Sequence, residues 1–300
     1  MTTSQEMLAR RLKLPNTNSP LTIPQIHLGL YMLPPRQTAA TVTAALSAGY
    51  RGFDSAQWYN NEREAGGAIK AYLSSHPSLS RSDVFYTTKL RDNSTSYEGV
   101  RVSVAKSIDA CELGYVDLFL LHSPLGGQEA RLTSYRALSS FLPSGQIRAL
   151  GVSNFGVRHL DELVSFIDSH NNSTPPPEFP LPLPSVNQIE IHPFNTQLPI
   201  RAACERHGLL LEAYAPLARG MRFGHPVLKE VSARYKCTEA QVLVRWSIQH
   251  GFVTLPKSAR TERLVANADV GGFEISDEDM KRLDGLDEGL VTDWDPTDAP

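Results

Sequence analysis

The chain has 300 residues, with 29 Lys plus Arg against 32 Asp plus Glu and a formal net charge of −3. That length suits one α/β barrel domain. The near-even charge balance gives no global pull toward nucleic acid or an anionic membrane.

In chain order, residues 1–20 lack the apolar core of a secretory signal and are read as a flexible N-terminus. Beyond them, short β-branched or apolar runs alternate with longer stretches of helical period, which argues for βαβ units around a parallel sheet. Strands are expected over 26–30, 51–54, 84–89, 116–122, 147–152, 186–191, 209–214 and 252–255. Helices are expected over 37–48, 62–73, 99–113, 129–141, 157–168, 199–207, 238–249 and 261–267. An extra helix is expected over 276–286, with Ser276 as N-cap and Glu278 and Asp279 in its first turn. Residues 171–184, which include Pro175, Pro176 and Pro177, admit neither helix nor central strand. They read as a surface excursion on the face opposite the strands' C-terminal ends. Residues 288–300 form an acidic C-terminal tail that holds Trp294.

Cys111, Cys204 and Cys237 are odd in number and widely spaced. They imply a reducing compartment, no disulfide frame and no zinc spacing. No apolar run reaches the roughly 18–20 residues that span a bilayer. The expectation is a cytoplasmic protein without metal, membrane or nucleic-acid partner.

Four residues then stand out. Asp54 closes the run from Gly49, Tyr59 lies in the loop just after it, Lys89 ends the run from Val84, and His122 ends the run from Val116. In a barrel of parallel strands such positions gather at one face, where that fold does its chemistry. A carboxylate, a phenol, an amine and an imidazole together can hand a proton to a carbonyl oxygen while something else supplies hydride. A free tyrosine titrates near about 10. A cation within roughly 4–6 Å favours the phenolate, so Lys89 is expected to lower the Tyr59 pKa, with Asp54 holding Lys89 charged. His122 is expected to orient the substrate oxygen or to join the proton relay.

From about Thr22 to Leu286 the sequence resembles the aldo-keto reductase superfamily. The matching segments are Gly49-Tyr50-Arg51-Gly52-Phe53-Asp54-Ser55-Ala56 with Tyr59, Asn61 and Glu62; Thr88-Lys89-Leu90; Leu120-Leu121-His122; and Gly151-Val152-Ser153-Asn154-Phe155. They continue with Asn187-Gln188-Ile189-Glu190-Ile191-His192-Pro193, Ala213-Tyr214-Ala215-Pro216-Leu217 and Leu255-Pro256-Lys257-Ser258. Periodicity alone carries all but two of the strands; the resemblance brings the count to eight. It therefore implies a single-domain (β/α)8 TIM barrel with an extra C-terminal helix and tail.

No Gly-x-Gly-x-x-Gly run follows any expected strand, which argues against a doubly wound dinucleotide domain. Hydride chemistry still needs a cofactor. The resemblance implies NADPH/NADP+ across the barrel mouth, with Ser153, Asn154 and Gln188 on the carboxamide and Tyr214 stacked on the nicotinamide. It implies Leu217 and its neighbours on the pyrophosphate, Lys257, Ser258 and Arg263 on the 2′-phosphate, and Asn267 near the adenine. It also sets Gly29, Leu30, Tyr31, Asp54 and Arg219 against the cofactor. Independently, Lys plus a fork-shaped Arg suits a dianionic phosphate, whereas an acidic residue would favour the bare ribose.

The sequence departs from the family at several positions. Leu30 replaces a usual Thr and Ala266 a frequent Glu. The segment after Leu217 is short, so no loop is expected to fold over the pyrophosphate. Arg91 and Ser123 stand where relatives often carry tryptophan. With Tyr31 and Trp58 they are expected to line a wider, more polar substrate pocket; the alternative is that Arg91 turns to solvent or pairs with Asp92.

The resemblance implies NADPH-dependent reduction of a small-molecule aldehyde or ketone by a monomer or weak dimer. The alternative is an NADPH-binding, redox-sensing subunit with little turnover. A hydrolase would want paired carboxylates or metal ligands at the strand ends, where only Asp54 and Glu190 are available.

Overall fold

The structure is a computed structural model that describes residues 2–17 and 19–300. Eight parallel strands form a barrel: β3 (Leu28–Gly29), β4 (Gly52–Asp54), β5 (Phe85–Leu90), β6 (Val116–Leu121), β7 (Ile147–Ser153), β8 (Val186–Glu190), β9 (Leu210–Tyr214) and β10 (Val253–Leu255). Each strand pairs with the next in chain order. The ring closes between its ends, where Ile26 bridges Thr254 and the Thr254 N–H donates to Gln25 O at 2.9 Å. The short inward runs, buried on both faces, are what a parallel sheet covered by helices demands.

Eleven α-helices occur among the described residues. Eight follow the barrel strands: α2 (Pro35–Ala48), α3 (Glu62–Ser75), α4 (Tyr97–Cys111), α5 (Gln128–Ser139), α6 (Val157–Asn171), α7 (Leu198–Arg206), α9 (Glu239–Gln249) and α10 (Thr261–Ala268). The expected extra helix is present as α11 (Asp277–Asp284), with the Ser276 hydroxyl accepting from Asp279 N–H. A helix absent from the sequence reading, α8 (Pro226–Tyr235), precedes α9 and starts on a proline, whose missing N–H costs nothing there.

The first residues are not the flexible segment expected from sequence. Helix α1 (Ser4–Ala9) opens on a capping box between Thr3 and Glu6. Strands β1 (Arg11–Leu14) and β2 (Leu21–Pro24) pair antiparallel. Leu14, Leu21 and Ile23 pack onto Phe85, Leu118, Leu120 and Val186 inside the barrel, so the hairpin floors it. Burying each such side chain stabilises by about 1.5–3 kcal/mol. The alternation of Arg11, Leu12, Lys13 and Leu14 carried that signal.

No helix or strand covers residues 172–185. The excursion is pinned by Asn171, whose side chain accepts from Leu181 N–H at 2.8 Å and donates to Leu181 O at 2.9 Å. It runs into the N-terminal end of β8, away from the cavity described below.

Helices α3 and α4 meet at a glycine. A Cβ on Gly66 would stand 1.8 Å from the Cys111 carbonyl oxygen, whereas one on Gly67 would meet nothing within 4 Å. Replacing helical Gly by Ala gains about 1 kcal/mol of propensity, but overpacking costs about 1–3 kcal/mol or more. Thermal melts should therefore show Gly66→Ala lowering Tm and Gly67→Ala raising it. Shifts of the same sign would contradict the close approach.

Candidate active site

The C-terminal ends of the strands open into one cavity of about 590 Å³. Its lining includes Asp54, Tyr59 and His122, and Lys89 lies fully buried beneath them. Tyr59 is set by a 3-10 turn, Gln57–Tyr59, that ends on Asn60 at φ 53°, a conformation asparagine tolerates better than most residues. Buried Asn61 then locks the loop, donating to Leu30 O at 3.0 Å and Leu33 O at 3.1 Å and accepting from Ser55 Oγ at 2.7 Å.

The Lys89 ammonium spends all its donors inside the site. Nζ donates to Asp54 Oδ1 at 2.6 Å, to Ser55 O at 2.9 Å and to Tyr59 Oη at 3.3 Å. Lys89 is 0 % exposed, so no water competes for these bonds. The other Asp54 oxygen accepts from Gln188 Nε2 at 2.9 Å. The four residues singled out in the sequence thus meet at one point.

The electrostatics differ from the sequence expectation. Burial, then the charges of Asp54, Tyr31 and Asp293, push the Tyr59 phenol well above its ordinary value. The Lys89 ammonium at 3.3 Å, itself paired with Asp54 at 2.6 Å, does not offset that rise. The phenol keeps its proton, with a cation in place to meet the negative charge left when the proton departs. Burial, aided by Lys89, takes the His122 imidazole down to about 3. His122 is neutral at physiological pH, so it can orient an oxygen but is not a cationic acid in a relay.

On the far side of the cavity, the Tyr214 hydroxyl donates to Asn154 Oδ1 at 2.9 Å. Asn154 Nδ2 is spent on His122 O at 3.0 Å and Ser153 Oγ at 3.2 Å, and Ser153 Oγ donates to Gln188 O at 2.8 Å. Gly29, Tyr31, Ser153, Asn154, Gln188, Tyr214, Leu217, Arg219, Lys257 and Arg263 all line the cavity, as does Trp58. Lys257 and Arg263 make no ion pair with a carboxylate among the described residues, unlike Arg219, which pairs with Asp293 at 2.7 Å.

Five expected residues do not reach the cavity. Leu30 is 0 % exposed and packs in the core between barrel and helices. The Ser258 hydroxyl is spent on the Arg260 backbone, and Asn267 is buried on α10 outside the lining. Arg91 turns to solvent and pairs with Asp92 at 3.3 Å; turning inward would strip water from its charge. Ser123 is buried, its carbonyl accepting from Asn93 Nδ2 at 2.8 Å. Of the two expectations for Arg91, pairing with Asp92 is the one seen, and neither Arg91 nor Ser123 lines the cavity.

An aromatic wall stands there instead. The Trp294 ring lies 5.8 Å from Trp58 and 6.4 Å from His122, and Trp58 lies 5.1 Å from His122. Trp294 and Asp293 come from the C-terminal tail, and Met32 and Phe223 complete the lining. The tail is anchored by Thr292, whose N–H donates to Glu190 Oε1 at 3.0 Å, and by Ala299, whose carbonyl meets His159 Nε2 at 2.7 Å. The Arg219–Asp293 pair forms a strap across the mouth that the short segment after Leu217 gave no reason to expect.

Among the described residues, no cluster of three or more His, Cys, Asp or Glu side chains could hold a metal ion. None of the described helices is long and apolar enough to cross a membrane.

Comparison with known proteins agrees with this geometry. A model of the Aldo/keto reductase family matches residues 25–288. An uncharacterized oxidoreductase of Schizosaccharomyces pombe is 43 % identical over 283 residues, covering 94 % of this chain and 97 % of that one. A glyoxal reductase of Bacillus subtilis is 36 % identical over 265 residues, covering 88 % of this chain and 89 % of that one. The crystal structure of an aldo-keto reductase from a Medee basin deep-sea metagenome library superposes with a TM-score of 0.81 at 31 % identity, covering 94 % of this chain and 96 % of that one. With the family matched over most of its length and the strand-end residues gathered at one cavity, this chain belongs to the aldo/keto reductase family of oxidoreductases.

Proposed function

We propose that the protein reduces an uncharged aldehyde or ketone to an alcohol with NADPH, and that Tyr59 is the general acid. The observation that carries this reading is the bond network in which Lys89 Nζ joins Asp54 and the Tyr59 hydroxyl at the floor of an open cavity.

The residues fit a nicotinamide nucleotide. Gln188 Nε2 is spent on two carboxyl groups, which leaves its carbonyl for a ligand. Asn154 Oδ1 takes one bond from Tyr214 and has a lone pair to spare. A carboxamide NH2 suits those acceptors. Lys257 and Arg263 are cavity-lining cations without a carboxylate partner, which suits a phosphate. The nicotinamide supplies hydride when bound.

The chain's own part is proton delivery and orientation. Neutral His122 and the Tyr59 hydroxyl present hydrogen-bond donors to the substrate oxygen. Tyr59 donates its proton as negative charge gathers on that oxygen. An alkoxide is a stronger base than a phenolate, which favours the transfer. Lys89 Nζ, already at 3.3 Å, stabilises the phenolate left behind, and Asp54 keeps Lys89 in place. Trp58 and Trp294 exclude water from one side.

The test is loss of reduced-nicotinamide absorbance with a panel of uncharged aldehydes. Glyoxal comes first, since one relative is named a glyoxal reductase. Turnover with several members is expected. Nucleotide binding, seen by fluorescence, without any turnover would sink the reductase reading and favour a regulatory nucleotide-binding role.

A further inference from the structure

Beneath Asp54 and Lys89, the barrel core holds a carboxyl group that the reaction above does not use. Glu212 lies on β9, in register with Gln188 of β8 and Val253 of β10, and is fully buried. Its Oε2 accepts from Gln188 Nε2 at 2.8 Å. Its Oε1 has no hydrogen-bond partner among the described residues. The same Gln188 nitrogen donates to Asp54 Oδ2 at 2.9 Å.

Two carboxyl groups therefore share one amide nitrogen, and the cation that acts on them, Lys89, is paired with Asp54 at 2.6 Å. The charged groups acting on Glu212 are Asp54 from β4 and Lys89 from β5. Its register neighbours on β8 and β10, Gln188 and Val253, are neutral. A second carboxylate here would carry its charge on a single neutral donor, in the interior, beside a like charge. Two carboxyl groups can share the amide nitrogen at lowest cost if one keeps its proton, and Asp54 has the ammonium.

We propose that Glu212 is a positioning residue for the reacting cofactor: standing as a neutral acid, it fixes the Gln188 amide with nitrogen inward and carbonyl toward the cavity, and leaves Asp54 as the sole negative charge beside Lys89. This rests on the nicotinamide-dependent reading of the cavity. A flipped Gln188 amide would set its carbonyl oxygen against the Asp54 carboxylate, which can only accept, so its nitrogen stays inward with a second N–H left for Glu212. Ionising Glu212 would add a second negative charge beside Asp54 and draw on the Lys89 ammonium that faces the Tyr59 hydroxyl. Burial first, and then the Asp54 charge, raise the Glu212 carboxyl from 4.5 to about 8.

The sign of the pH effect follows. Between 4.5 and about 8 the unfolded chain loses this proton while the folded chain keeps it. Stability from this site is then lost as pH rises through that window and levels off above it. Glu212→Gln keeps the neutral shape and cannot ionise. Melting of the nucleotide-free protein should show the Gln variant gaining on the wild type as pH rises through the window. Activity toward an uncharged aldehyde should fall above about pH 8 in the wild type and stay flat in Glu212→Gln. At neutral pH, Glu212→Gln should bind reduced nucleotide within about threefold of wild type, whereas Glu212→Leu should bind it about tenfold more weakly, as expected for loss of one buried hydrogen bond. Parallel melting profiles would overturn the proposal, as would a Gln variant as impaired as the Leu variant. Should no carbonyl be reduced, the reductase reading falls, while the melting and binding comparisons still decide the role of Glu212.

Discussion

Replacing Tyr59 with phenylalanine is expected to lower kcat by about 10²–10⁴-fold, the contribution of a single positioned general acid, and to leave nucleotide affinity nearly unchanged. The substitution removes the hydroxyl that stands 3.3 Å from Lys89 Nζ. It keeps the ring that packs 5.1 Å from Tyr31 and 5.7 Å from His122. The Asp54–Lys89 pair also survives it, which makes Tyr59→Phe a cleaner probe than Lys89→Met, where a buried Asp54 would be left without its cation. Steady-state kinetics and fluorescence titration on the same preparation separate the two effects. A variant that retains more than about a tenth of wild-type kcat would show that the proton comes from elsewhere.

The second large effect concerns which nucleotide is held. Removing Lys257 and Arg263 together, each to alanine, should weaken NADPH about 10–100-fold, the loss expected for a charge-assisted hydrogen bond of about 1.5–3 kcal/mol, and leave NADH within a few-fold. Both side chains line the cavity. Arg263 sits in the first turn of α10, where a cation opposes the helix dipole, so its position calls for an anion nearby. Equal weakening of the two nucleotides would mean that these cations do not read the 2′-phosphate.

The candidate site was legible in the sequence because its residues occupy strand ends, and strand ends can be read from short apolar runs. Asp54, Lys89 and His122 needed no knowledge of side-chain packing to be brought to one face. Other features depend on distant partners that no local pattern announces. Trp294 enters the cavity because Thr292 finds Glu190, which lies 102 positions away in the chain. Arg91 faces solvent because Asp92 and water serve its charge better than the cavity does. The raised phenol of Tyr59 results first from burial, which a cation itself paired with Asp54 does not offset. Glu212 carries a local signal, a lone acid between the apolar run Leu209-Leu210-Leu211 and Ala213, that an otherwise ordinary strand obscures. The floor hairpin and α8 were missed for a different reason, since neither belongs to the repeating βα unit.

The tail that carries Asp293 and Trp294 makes no strand pairing with the barrel. It is held by separate polar anchors at Glu190 and His159, and by the Arg219–Asp293 pair. Barrel strands exchange their amide hydrogens only in near-global opening, whereas a segment held this way opens at a fraction of that free energy. The floor proposed to carry out proton transfer and the wall that shapes the pocket are therefore expected to open as different cooperative units. Amide exchange in residues 288–300 is accordingly expected to outpace that of the barrel strands while the Asp54–Lys89–Tyr59 geometry holds. With that outcome, selectivity in such a barrel would depend on how often its wall is open, a population as well as a shape.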